Sequence, residues 1–316
     1  MDWLKDLKKG LETDLGDVRF SADDIVSVTR CTALQSGMLA QTMNSSGQLY
    51  VHSFTFQLFP STSVSKLRSA WQSAVEQLDI LRTSFHFAAT GQWAQVVHSV
   101  ADFKWTTCES TDITGVAKDF IASLDFGDTK AFTRPPIHFR HVTVSDAESQ
   151  NGKDYLIVVL HHALYDGIAL PKLFRRVRSL YLGHSLPPPI AFQPIADAIL
   201  LQEKEGTQFW ASRLSSFKPI QFPRISQSIG EEVDAWRASL QLDLSASDIK
   251  RYCRRYHIHP QCLGQAAWSK ILAKRIGVLD VVFGQVISGR TVEDAGDVVG
   301  PVFMLKLSSR TPFRVE

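Results

Sequence analysis

The segment Tyr155 to Leu160, YLIVVL, is the longest unbroken apolar stretch in the chain. It is far too short to cross a bilayer, and too uniform for a strand with one wet face. It predicts a central strand buried on both sides. The stretch ends on His161 and His162, and from Leu170 onward Leu173, Phe174, Val177, Leu180 and Tyr181 recur at helical spacing until Gly183 stops them. The chain must therefore leave a buried strand, turn, and enter a helix within the loop HHALYDG. Alternation along the strand puts the two imidazoles on opposite sides, with His161 packed beneath the loop and His162 at its rim.

Elsewhere the pattern mixes periods. Val51 to Phe59 alternates like a strand with Phe54, Phe56 and Leu58 on one face, and Val64, Leu67, Trp71, Ala74, Val75 and Leu78 repeat like a helix. Ile137 to Val144 reads as another strand. Leu186-Pro187-Pro188-Pro189 cannot continue a helix and is the strongest composition break. Past it, Ser245 caps a predicted helix over 246–256, a second helix runs from about Gln261 to Ile276 with Gly277 as its stop, and Val281 to Ile287 resumes as a strand. No solenoid repeat is present. Helices and strands alternate without a regular βαβ rhythm, which predicts an α+β fold. With 316 residues there is room for two subdomains, divided at the prolines into 1–186 and 187–316.

Several function classes lose ground on composition. The 34 basic and 32 acidic side chains leave a net charge of only +2, too little excess to neutralise a phosphate backbone, so no nucleic-acid partner is expected. The charged N-terminus MDWLKDLKKG lacks the apolar core of a secretory signal, and no membrane partner is expected. Cys31, Cys108, Cys253 and Cys262 are scattered without CxxC spacing, which suits free thiols in a reducing, cytoplasmic setting. There is no GxSxG elbow, HExxH, GxGxxG or phosphate loop.

The loop 161–167 is where chemistry can sit. An imidazole at a strand end is poised near neutral pH to take a proton from an attacking amine or hydroxyl, and His162 is the better candidate; the alternative is a satisfied core histidine, the reading preferred for His161. Asp166 can orient an imidazole, cap the following helix, or pair with an arginine, and a structural role is preferred because four residues is a short reach to His162. Gly167 can offer its N–H to an oxyanion at the helix's positive end, or simply make a tight turn. His161, His162 and Asp166 are too few to hold a metal, and none is expected. The basic residues Lys172, Arg175, Arg176 and Arg178 read as a solvated face that could also meet an acidic partner protein.

At these residues the chain resembles the condensation domains of nonribosomal peptide synthetases, in the chloramphenicol-acetyltransferase-like superfamily. HHALYDG matches their HHxxxDG motif, Thr32 to Gln41 (TALQSGMLAQ) resembles the opening motif in its fungal form, and Ile80 to Phe85 (ILRTSF) matches the LRTxF segment. Ser288-Gly289-Arg290, Val299 to Phe303 and the terminal Thr311 to Val315 resemble the family's second-subdomain strand and loop region. Asp166, fourteen residues and Tyr181 resemble the spacing of terminal, cyclising fungal domains, with His161 where those carry serine. The resemblance implies two chloramphenicol-acetyltransferase-like subdomains in a V around a central tunnel, the second incomplete because family domains continue past the position of Glu316. It implies acyl transfer to an amine or hydroxyl, with His162 and Gly167 catalytic and with His161, Asp166 and Arg290 structural, Asp166 pairing with Arg290. No tightly bound cofactor is implied. Acyl groups would arrive on the phosphopantetheine arms of donor and acceptor carrier proteins, the partners together with neighbouring synthetase modules, in a fungal synthetase of siderophore or cyclic-peptide type. The competing readings are a free-standing acyltransferase using coenzyme A and an inactive carrier-docking scaffold.

Overall fold

A computed structural model describes residues 24–88, 90–146, 149–218, 239–278, 280–291 and 293–310. The N-terminal MDWLKDLKKG and the terminal match at Thr311 to Val315 lie outside the described residues. The chain divides into two compact units, one of residues up to Thr207 with Val286–Leu305, the other of Gln208–Gln285 with Lys306–Glu316. The architecture is α+β.

In the first unit, a four-stranded sheet has the order β2 (Val51–Gln57), β7 (Ser149–His161), β6 (Ile137–Asp146), β5 (Trp105–Ser110). β7 is antiparallel to both neighbours and so is central, and Leu156 to Leu160 are all buried. Its pairing with β6 runs past the apolar stretch, through Asp154 and Lys153 opposite Thr143 and Val144. Backbone pairing, not side-chain polarity, sets that end. A second sheet has the order β1 (Ile25–Arg30), β4 (Trp93–His98), β3 (Thr83–Phe87), antiparallel throughout.

The helices over Val64–Gln77 and Ala169–Leu182 bury residues of the stripes their sequences predict. Helix α1 (Ala33–Asn44) opens with a capping box between Thr32 and Gln35. Helix α2 (Val64–Gln77), capped by Ser63, buries Ala70, Trp71, Ala74 and Val75. A short helix, α3 (Ile113–Ala122), follows β5. Helix α4 (Ala169–Leu182) leaves the loop after β7, buries Ala169, Leu173 and Val177, and ends at Gly183, whose φ of 78° only glycine adopts cheaply. Phe174 of α4 meets Trp71, Phe54 and Phe56 edge-on, joining both helices to one face of β2. A fully buried side chain such as Leu173 contributes about 1.5–3 kcal/mol. Helix α5 (Phe192–Arg213) starts beyond the prolines, and the Asp79 carboxylate accepts the backbone N–H groups of Phe192 and Gln193 at its first turn.

The second unit contains α6 (Ala246–Arg255), opened by a Ser245–Asp248 capping box, and α7 (Pro260–Ile276), closed by Gly277. Strands β8 (Val281–Ser288) and β9 (Phe303–Arg310) form a two-stranded sheet.

Candidate active site

β7 ends at His161, a single 3-10 turn covers His162–Leu164, and Tyr165 returns to extended backbone. Because the turn starts at the strand end, the two imidazoles point apart. His161 is 0% exposed. Its Nδ1 accepts the Ala163 N–H at 3.1 Å, so its proton is on Nε2, which reaches Thr42 Oγ1 at 2.8 Å. The Thr42 hydroxyl lies 2.8 Å from the Met38 carbonyl and 2.9 Å from that of Leu49. Burial, then the neighbouring His162 and His52, push the His161 pKa down to about 3. This ring is neutral, with both nitrogens hydrogen-bonded.

His162 is half-buried. Its backbone N–H donates to the Tyr50 carbonyl at 2.8 Å, and its Nδ1 stands 2.8 Å from the Tyr165 carbonyl. A carbonyl can only accept, so Nδ1 carries the proton and Nε2 keeps its lone pair. The Tyr165 ring lies nearly parallel to the imidazole, at 4.8 Å and 14° between planes. The rings of His52, Phe303 and Tyr50 stand 5.2, 5.7 and 6.3 Å from it. The Tyr165 hydroxyl meets His52 Nδ1. Burial holds the Tyr165 phenol well above its ordinary range, and burial followed by His162 lowers His52, so both groups are neutral at pH 7.

Asp166 is 1% exposed. One oxygen accepts the N–H groups of Ile168 and Ala169 at 2.9 and 2.6 Å, capping α4; the other accepts the Val302 N–H at 3.0 Å. Arg290 Nη2 lies 2.9 and 3.0 Å from the two oxygens. The same guanidinium donates to the carbonyls of Ala295 and Val298 at 2.7 and 3.0 Å. The carboxylate thus caps the helix and ties the loop to residues 290–302, while the Tyr165 carbonyl orients His162.

Gly167 is exposed, its φ is not positive, and a Cβ there would meet nothing within 4 Å. Neither backbone conformation nor packing requires glycine at this position. Two side chains that loop reading missed hold the site from α1: Thr42, and Gln35, whose amide donates to the Ala163 carbonyl at 3.2 Å and to Gln95 at 3.3 Å. Gln35 lies within TALQSGMLAQ, whose motif resemblance gives no sign of this far partner. His52 and Tyr50 carried no motif at all. On the basic face, Lys172 bonds the Gly296 carbonyl and Asp297, and Arg176 bonds Gln77. The Tyr181 hydroxyl accepts the Ser63 N–H at 3.1 Å. Among the described residues, no group of three or more His, Cys, Asp or Glu side chains is placed to hold a metal. No described helix is long and apolar enough to cross a membrane.

The model of the condensation-domain family matches residues 27–306. The chain is 38% identical over 293 residues to nonribosomal peptide synthetase NPS2 of Ceriporiopsis subvermispora, covering 92% of this chain and 12% of that protein. It is 34% identical over 289 residues to the ferrichrome siderophore peptide synthetase of Mycosarcoma maydis, covering 90% of this chain and 7% of that one. Among solved structures, the crystal structure of SeMet-CT superposes with a TM-score of 0.72 at 22% identity, over 97% of this chain and 67% of that chain.

Proposed function

Because the chain belongs to the condensation-domain family, in its fungal nonribosomal-synthetase form, we propose that it joins an acyl or peptidyl thioester to an amine or hydroxyl, with His162 at the reacting centre. The observation that carries this reading is the fixed tautomer of His162, whose Nδ1–H is spent on the Tyr165 carbonyl so that Nε2 is the basic atom on a half-buried ring.

In this reading the nucleophile attacks the thioester carbonyl while His162 Nε2 accepts its proton. The C–N or C–O bond forms, the oxyanion of the tetrahedral intermediate gathers at the N–H of the exposed residue Gly167 near the start of α4, and the C–S bond breaks. The proton passes from His162 to the departing thiolate, so the imidazole ends as it began. His161, Asp166 and Arg290 hold the loop and take no part in proton transfer. The thioester is carried on the phosphopantetheine arm of a carrier protein, and donor and acceptor carriers with neighbouring synthetase modules are the partners.

The test is a mass-spectrometric transfer assay offering one acyl group either on a carrier arm or as its coenzyme A thioester. Product from the carrier-bound donor alone is the expected result. Turnover with acyl-coenzyme A and no carrier protein would replace this reading with that of a free-standing acyltransferase.

A further inference from the structure

We infer that Tyr50 is a specificity-determining residue for the acceptor, its ring reading the substituent beside the attacking amine or hydroxyl. The inference rests on the condensation reading above.

Tyr50 adopts a φ of 63° in the turn entering β2, a left-handed conformation that suits glycine or asparagine and penalises a ring-bearing side chain. Nothing else in the turn calls for tyrosine. The backbone task there, accepting the His162 N–H at 2.8 Å, is done by the carbonyl and is open to any residue. The preceding residue is pinned independently, with the Leu49 N–H donating to Ser45 Oγ at 3.0 Å and its carbonyl 2.9 Å from Thr42 Oγ1. A strained tyrosine in a turn that a smaller residue would fill with less strain points to a use for its side chain.

The ring's position gives that use. Its centroid is 6.3 Å from the His162 ring at a 57° tilt, yet Tyr50 is 36% exposed, so packing against the imidazole leaves much of it open. A nucleophile giving its proton to Nε2 lies within hydrogen-bond reach of that atom, and the carbon bearing it lies one bond further. With its centroid 6.3 Å from the imidazole, the Tyr50 ring is close enough to meet a substituent on that carbon. An amphipathic ring there favours apolar or flat substituents over none. His52, the other exposed ring beside His162, is held through Tyr165 and is the less free to adapt.

The experiment compares two carrier-bound amine acceptors, one with a benzyl substituent and one unsubstituted, in the full chain and in Tyr50→Asn and Tyr50→Phe, with Tm recorded for each. Asparagine tolerates the left-handed conformation, so Y50N should melt at or above the parent while the benzyl-to-unsubstituted ratio of kcat/KM falls about tenfold. Y50F should keep the parental ratio. An unchanged ratio in Y50N, an equal loss in Y50F, or a clearly lowered Tm in Y50N would each overturn the inference. Absence of transfer by the parent would instead refute the condensation reading itself.

Discussion

Replacing Asp166 with asparagine should damage folding far more than its small change of volume suggests. The carboxylate is 1% exposed and accepts from three backbone N–H groups and from Arg290, whose side chain is itself 8% exposed. Asparagine keeps one acceptor oxygen but turns an NH2 toward groups that can only donate, the Val302 N–H or the guanidinium. The arginine charge then stays buried with carbonyl dipoles alone. Breaking one partner of a buried pair costs about 3–5 kcal/mol. At about 2–4 °C per kcal/mol for a domain of this size, Tm should fall by about 6–20 °C. The assay is thermal unfolding followed by tryptophan fluorescence, with His162→Ala as a control that should stay near the parent. Arg290→Met should destabilise similarly, and the double variant should be less destabilised than the two single effects added together. A D166N variant melting with the parent, or two effects that add, would refute the pairing as the loop's anchor.

Gly167→Ala should leave Tm unchanged, since the added methyl meets nothing within 4 Å and φ is not positive, yet reduce transfer at least about tenfold by crowding the approach to the N–H. Parental kinetics in that variant would contradict the role given to Gly167. Acid should destabilise the fold well before carboxylates protonate. Burial lowers His161 to about 3 and His86, His98 and His138 to about 4, whereas the unfolded chain binds those protons from about pH 6.5 downward. Stability is therefore full above about pH 6.5 and lost as pH falls toward 4, each ring adding a slope approaching about 1.4 kcal/mol per pH unit. Urea midpoints that stay flat between pH 7 and 5 would contradict this.

The elements legible in the sequence were those whose burial comes from apolar periodicity. β7, α2 and α4 follow from YLIVVL, from Trp71 with Ala74 and Val75, and from Leu173 with Val177. β4 escaped notice because its buried positions include Gln95 and His98, which read as surface residues until their bonds to the Arg30 carbonyl and the Ser84 hydroxyl are seen. The site divides the same way. HHALYDG announces itself because two imidazoles and a carboxylate at the end of an apolar strand are chemically conspicuous. What fixes their roles lies far off in sequence: Thr42 for His161, Gln35 for Ala163, Tyr50 for the His162 backbone. No local pattern encodes a contact across more than a hundred residues. The Tyr165 carbonyl that sets the His162 tautomer is local, but a carbonyl has no sequence signature.

The most direct test of the central claim is the rate of acyl transfer by His162→Ala to a hydroxyl acceptor and to an amine acceptor of the same shape. An α-amino group with pKa near 8 is partly neutral at pH 7, whereas a hydroxyl needs its proton removed as it attacks. If His162 Nε2 is the base, the variant should lose on the order of 10²-fold or more with the hydroxyl and less with the amine. Parental rates on both acceptors would show that the imidazole held by Tyr165 is not the base.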